Sequence, residues 1–75
     1  MNEMSLHYSI LIEWSEEDQA YVVILPEWAD RVIMPATHGS TYNKAVQQGQ
    51  EVLEMLVESA KRDGEPLPAP KIHAA

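Results

Sequence analysis

The chain has 75 residues, no cysteine and a formal net charge of -7 at pH 7. This length suits one domain with a small core, and the lack of cysteine excludes a disulfide framework or a thiolate zinc site. No apolar run approaches the roughly 20 residues that a membrane-spanning helix needs, and the first residues lack the pattern of a secretory signal. We therefore predict a single cytoplasmic domain over residues 1–75, with its core at about residues 6–62.

The excess negative charge lies in the first 30 residues, which contain seven acids and no lysine or arginine. From residue 31 onward, five acids and five bases cancel. Direct binding of nucleic acid requires a basic patch facing the phosphates, so we expect none here. An acidic surface favours a basic partner, although the charge could also serve solubility alone.

Three strands are predicted in the first half of the chain. Residues 6–14 (LHYSILIEW) alternate between apolar and polar positions, the pattern of a half-buried strand. A short acidic connection, residues 15–19, joins it to an apolar strand at residues 20–25, which predicts an antiparallel hairpin. Residues 32–37 predict a third strand, and Pro35 places it at a sheet edge or a bulge.

A long helix follows the third strand. His38 and Gly39 are expected to form the turn into it, and either Ser40 or Thr41 could cap its first turn. Apolar or small residues then recur at intervals of three and four, which is typical of one buried helix face: Tyr42, Ala45, Val46, Gly49, Val52, Leu53, Leu56, Val57 and Ala60.

Small residues and glycines define how this helix packs and where it ends. Ala45 and Gly49 would let the helix lie close to the surface beneath it. Gly64 is suited to the left-handed position after the helix, where a proline-rich tail, residues 63–75, begins. Residues 71–73 could form a short fourth strand.

The predicted fold class is α+β, a three-stranded antiparallel sheet packed on one helix in the order β-β-β-α. The opposite face of this sheet has no helix from the same chain to cover it. Apolar residues such as Val22 and Ile24 or their neighbours would be exposed there. Because exposed apolar patches usually mark interfaces, we expect a homodimer or tetramer.

The residues do not indicate catalysis. His7, His38 and His73 lack the spacing of metal ligands, and the chain contains neither a Gly-x-Ser-x-Gly turn nor a phosphate-binding glycine loop. The acids between the first two strands are expected to be solvated. We therefore expect no enzymatic activity, no metal and no cofactor.

Five short segments, in order, carry a resemblance that covers residues 8–70: Tyr8 in the first strand, then residues 20–23 (AYVV), 25–27 (LPE), 39–46 (GSTYNKAV) and 64–70 (GEPLPAP). Together they resemble the HicB-like antitoxin family. The resemblance implies a partial ribonuclease-H-like fold that lacks the catalytic acids. It also implies the antitoxin half of a type II toxin–antitoxin pair.

The implied partner is HicA-like, a small basic ribonuclease that cuts mRNA and is blocked when the antitoxin binds it. The alternative is an orphan module of the same fold, acting as a homo-oligomeric scaffold or binding another partner. Many family members continue into a DNA-binding domain, and no separate one is expected over residues 1–75.

Candidate partner-binding residues follow from charge and from the enrichment of aromatic side chains at interfaces: Glu13, Glu16, Glu17, Asp18 and Trp28. Trp14 could belong either to this set or to the core.

Overall fold

The computed structural model describes residues 7–73. Its elements are strands β1 (Leu11–Ser15), β2 (Ala20–Ile24) and β3 (Thr37–Gly39) and helix α1 (Tyr42–Arg62), with a short 3-10 helix, Pro26–Trp28, after β2. The strands form one antiparallel sheet in the order β1-β2-β3, with β2 in the centre. This arrangement confirms the predicted three-stranded α+β fold.

Strand β1 begins later than the sequence pattern predicts. Pairing starts at Leu11, which lies opposite Ile24, because β2 ends there and Pro26 has no N–H to continue the ladder. The alternation still identifies which residues are inside, since Tyr8 is buried and Ile10 packs against the core. Residue 6 of the predicted strand lies outside the described residues.

The predicted third strand, residues 32–37, is displaced. The structure places β3 at Thr37–Gly39, and the first contact with β2 is the hydrogen bond from Ala36 N–H to the Val23 carbonyl at 2.9 Å. Because Pro35 cannot donate to a ladder, regular pairing begins only after it. His38 and Gly39, predicted as a turn, therefore belong to the strand, which lies at the sheet edge as Pro35 indicated.

Helix α1 begins with a side-chain cap from Thr41. The Thr41 hydroxyl accepts a hydrogen bond from Lys44 N–H at 3.1 Å, so of the two capping candidates Thr41 is the one that acts. The buried face of α1 consists of five of the residues that the three-four spacing predicted: Ala45, Gly49, Leu53, Val57 and Ala60. Tyr42 and Val46, predicted on the same face, are exposed instead.

Two glycines let α1 approach the sheet. A Cβ at Gly49 would lie 3.1 Å from Val23 Cγ1 and 3.3 Å from Ile10 Cγ2, so this helical turn rests directly on the strands. The approach at Gly39 is closer, because a Cβ there would lie 2.7 Å from the Lys44 carbonyl carbon and 2.8 Å from Ala45 Cα. Gly39 is thus needed where the helix backbone crosses β3.

The helix ends in the hydrogen-bond pattern of a Schellman motif. Gly64 has a positive φ of 72°, and its N–H donates to the Lys61 carbonyl at 3.2 Å. The Glu65 N–H donates to the Ala60 carbonyl at 2.8 Å, which satisfies a second carbonyl of the last turn. The predicted role of Gly64 is confirmed.

The segment after α1 is held against the body of the domain. Tyr8 Oη donates to the Pro68 carbonyl at 2.6 Å, and Arg31 Nη1 donates to the Pro66 carbonyl at 2.7 Å. Residues 71–73 do not form the fourth strand that the sequence left open. We call residues 66–71 the C-terminal strap.

Candidate partner-binding surface

Helix α1 covers one face of the sheet and leaves the other face without it. Val23 lies beneath Gly49, so its neighbours Val22 and Ile24 point to the opposite side. Leu11 pairs with Ile24 and shares that side, where it is 44 % exposed. We call this side of the sheet the open face.

A shallow groove of about 390 Å³ lies along the open face between β2 and β3. Val22 and His38 are paired across these two strands and contribute to its lining. The groove combines apolar and polar side chains along its length: Asp18, Ala20, Val22, Pro35, Ala36, Thr37 and His38. Its composition would admit the aliphatic stem and charged end of a long basic side chain.

The acids predicted to bind a partner cluster at the β1–β2 hairpin. Glu13 lies in β1 opposite Val22 on the open face, and Glu16, Glu17 and Asp18 form the exposed turn. Residues 7–30 contain no lysine or arginine. The hairpin therefore carries a local excess of negative charge, which we call the acidic hairpin (Glu13, Glu16, Glu17 and Asp18).

Local hydrogen bonds orient two of these carboxylates. Asp18 Oδ2 accepts a hydrogen bond from Ser15 Oγ at 3.1 Å, while the Ser15 hydroxyl accepts one from Asp18 N–H at 3.2 Å. Glu16 Oε2 accepts a hydrogen bond from Trp14 Nε1 at 2.5 Å. As a result, Asp18 lines the groove of the open face and Glu16 lies beside an exposed indole ring.

Trp28, included in the predicted partner-binding set, does not lie on this surface. It is only 2 % exposed and packs edge-to-face on Tyr8, with ring centroids 5.5 Å apart. The Arg31 guanidinium lies 5.5 Å from the Trp28 ring centroid. The short 3-10 helix after β2 turns Trp28 into the core, so it acts as a structural residue.

Trp14 is the exposed tryptophan of the described chain, at 47 % exposure. The alternation of β1 places it on the side of the sheet that faces the helix. Because α1 begins only at Tyr42, Trp14 lies at the edge of the area that the helix covers. It contacts Tyr21 edge-to-face, with ring centroids 5.1 Å apart. Its position at a strand end, next to an acidic turn, is the sequence signal that could have marked it as a surface residue.

Glu27 is a buried carboxylate that sequence reasoning missed as a structural residue. It is 8 % exposed and accepts hydrogen bonds from Ser9 N–H, from the Ser9 hydroxyl at 3.1 Å and from Lys71 N–H at 2.9 Å. Burial alone would raise the pKa of Glu27, but the backbone N–H groups of Lys71, of Glu27 itself and of Ser9, with the Ser9 hydroxyl, hold it below its usual value. Glu27 is therefore an ionised anchor for the two segments that it joins.

The three histidines are dispersed. His7 and His73 are exposed near the two ends of the described chain, and His38 lies on β3. Within residues 7–73, no three histidine, aspartate or glutamate side chains are grouped so that they could hold a metal ion. No helix in this range has both the length and the apolar character that crossing a bilayer needs.

Comparison of the chain with protein-family models, with curated proteins and with solved structures found no match. Function is therefore inferred from the partner-binding surface. That surface joins the acidic hairpin to a groove on the open face.

Proposed function

We propose that this protein is an antitoxin-like, cytoplasmic binding protein that neutralises a small basic mRNA-cleaving ribonuclease of the HicA type. The observation that carries the proposal is the acidic hairpin beside the open face, in a stretch without lysine or arginine over residues 7–30. The resemblance to HicB-like antitoxins supports the same function.

Electrostatics explains how such a surface would inhibit a ribonuclease. An enzyme that binds RNA presents cations to the phosphates, so its functional surface is basic. The exposed carboxylates of Glu16, Glu17 and Asp18 would attract that surface and occupy it in place of RNA. The groove on the open face would provide apolar contact beneath the charged rim.

Charge reversal of the hairpin tests this function. The triple variant Glu16→Lys, Glu17→Lys, Asp18→Lys should slow association with a HicA-type ribonuclease by about tenfold or more at low salt. The loss should be smaller at high salt, because the attraction is screened. RNA cleavage in the presence of each protein and stopped-flow association measure the two effects.

The helix offers a matched control with the same change in net charge. Glu51→Lys, Glu54→Lys, Glu58→Lys alters exposed residues of α1 that lie away from the hairpin. This variant should retain most of the inhibition. Equal losses of inhibition in the two variants would mean that net charge, and not the hairpin, determines binding. Absence of inhibition by the wild-type chain would overturn the proposal.

A second candidate function is a homo-oligomeric scaffold without a toxin. The apolar part of the open face favours it, since Leu11 is 44 % exposed and Val22 and Ile24 are half-buried. We propose a homodimer or tetramer formed through this face. Sedimentation at micromolar concentration should then show assembly that Leu11→Glu abolishes, and a monomeric wild-type chain would exclude it.

A further inference from the structure

Three aromatic side chains form a continuous row at the hairpin end of the sheet. Trp14 on β1 meets Tyr21 on β2 edge-to-face, and Tyr21 lies against Tyr42 of α1 with ring centroids 4.2 Å apart and a 31° angle between the ring planes. Trp14 is 47 % exposed and Tyr42 is 61 % exposed. We call these three residues the aromatic row.

The exposure of this row contrasts with the other aromatic pair of the domain. Tyr8 and Trp28 also meet edge-to-face, but they are 6 % and 2 % exposed. Packing of the core therefore accounts for the Tyr8–Trp28 pair. It does not account for the exposed rings of Trp14 and Tyr42. Aromatic rings that remain exposed yet fixed by neighbours are typical of binding surfaces, because little conformational freedom is lost when they are covered.

We propose that the aromatic row binds arginine side chains of the basic partner, with guanidinium groups stacked on the Trp14 and Tyr42 rings and paired with the Glu16 carboxylate. This inference rests on the proposed function, since it names the side chain that the partner supplies.

The hydrogen bond between Trp14 and Glu16 provides the geometry for such a site. It fixes a carboxylate at the edge of the indole, so that an anion and an aromatic face lie side by side. A guanidinium is planar, stacks on aromatic faces and can donate two parallel hydrogen bonds to a carboxylate. A lysine ammonium lacks the planar donor pair and is more strongly hydrated, so it would gain less from the same surface.

The charge around the row favours a protein partner over nucleic acid. Surfaces that stack bases also supply cations to the phosphates. Here the nearby acidic hairpin supplies carboxylates, and Lys44 is the one cation in the first turn of α1. A second copy of the chain bound on the row, unlike one bound through the open face, would bring two acidic hairpins together. An arginine-bearing segment could both stack on the aromatic rings and pair with the carboxylates.

Binding of two model peptides to the full chain tests the proposal. One peptide alternates arginine with glycine and the other alternates lysine with glycine at the same length and charge. The arginine peptide should bind about fivefold more tightly, a preference consistent with one or two exposed cation–π contacts. In NMR spectra the indole N–H signal of Trp14 should shift and that of Trp28 should not. Equal affinities would overturn the inference.

Variants of the row give an independent measurement. Trp14→Leu keeps an apolar side chain at the rim, and once its folding is verified by urea unfolding, it should lose the preference for arginine. Met55→Ala is the control, because Met55 is similarly exposed, at 60 %, but lies near the middle of α1. A preference retained in folded Trp14→Leu would overturn the inference. Tighter binding of an oligouridine than of the arginine peptide would overturn it in favour of RNA.

The outcomes separate this inference from the proposed function. If hairpin charge reversal abolishes ribonuclease inhibition while folded Trp14→Leu inhibits with wild-type affinity, the arginine site is wrong and the antitoxin function stands. If the arginine preference depends on Trp14 but the chain does not inhibit the ribonuclease, the site stands and the antitoxin function is wrong.

Discussion

The Glu27 carboxylate accepts a hydrogen bond of 2.9 Å from the backbone N–H of Lys71, a residue 44 positions later in the chain. The same carboxylate accepts hydrogen bonds from Ser9. One buried side chain thus joins the segment before β1, the 3-10 helix after β2 and the C-terminal strap. Its removal should affect stability without changing the acidic hairpin.

Glu27→Gln should lower the free energy of unfolding by about 1–3 kcal/mol at neutral pH, because the amide cannot accept all the donors that face the carboxylate. The folded pKa of Glu27 lies below its ordinary value of 4.5. Its contribution is therefore present above the unfolded pKa and is lost as the pH falls through the folded pKa. Urea unfolding at several pH values should show the difference from wild type shrinking in acid.

Glu58→Gln provides the control for this pH dependence, since Glu58 is exposed on α1. It should unfold like wild type at neutral pH. A difference between Glu27→Gln and wild type that stays constant down to pH values well below 4.5 would contradict the role of an ionised Glu27.

The three glycines should rank by what surrounds them. Gly39→Ala should cost about 3 kcal/mol or more, because the added Cβ meets the backbone of α1 at Lys44 and Ala45. Gly64→Ala should cost about 1 kcal/mol, since its surroundings are open but its φ is positive. Gly49→Ala should stay within about 1 kcal/mol of wild type, because helix propensity offsets a tight contact with side chains.

Thermal and urea unfolding of these three variants measure the ranking. If Gly49→Ala proved as damaging as Gly39→Ala, the sheet side chains beneath α1 would be less able to shift than the contacts suggest. If Gly39→Ala were neutral, the close crossing of α1 over β3 would be incorrect.

Thr41→Ala should destabilise the chain by about 1 kcal/mol, because Lys44 N–H loses the hydroxyl that accepts its hydrogen bond. Ser40→Ala, one residue earlier and exposed, should have little effect. Chemical denaturation of the pair compares the two hydroxyls directly. The reverse order would assign the cap to Ser40.

Tyr8→Phe should cost about 0.5–1.5 kcal/mol, because the Pro68 carbonyl loses the hydroxyl hydrogen bond. The effect should concentrate in the C-terminal strap. Native-state hydrogen exchange should show faster exchange of Lys71 N–H in this variant, with amides of α1 little changed. Unchanged exchange at Lys71 would mean that the hydrogen bonds of Glu27 and Arg31 hold the strap without the Tyr8 hydroxyl.

Local signals in the sequence were sufficient for the helix and the hairpin. Periodicity identified the five buried residues of α1, although it also assigned the exposed Tyr42 and Val46 to that face. The cap at Thr41 and the glycine at Gly64 are determined within a few residues. The position of β3 was not predictable in the same way, because three residues carry almost no periodic signal and Pro35 displaced the pairing.

The charge of the surface was predictable from the sequence, but the burial of the two tryptophans was not. The acids between the first two strands are exposed, as their sequence indicated. Whether each tryptophan is buried depends on tertiary contacts: a 3-10 turn carries Trp28 into the core, and the start of α1 leaves Trp14 at the rim. The Glu27–Lys71 link joins distant segments, so no local pattern announces it.

The hydrogen bond between Tyr8 and Pro68 joins residues 60 positions apart. The first and last parts of the described chain are therefore in contact. A chain whose ends are in contact can be joined there and cut at another position. A linker between residues 7 and 73, combined with a cut in the exposed turn at residues 16–19, should give a circular permutant with the same sheet and helix. The connectivity of the chain could thus be changed without changing the fold. The new chain ends would then lie in the acidic turn between β1 and β2.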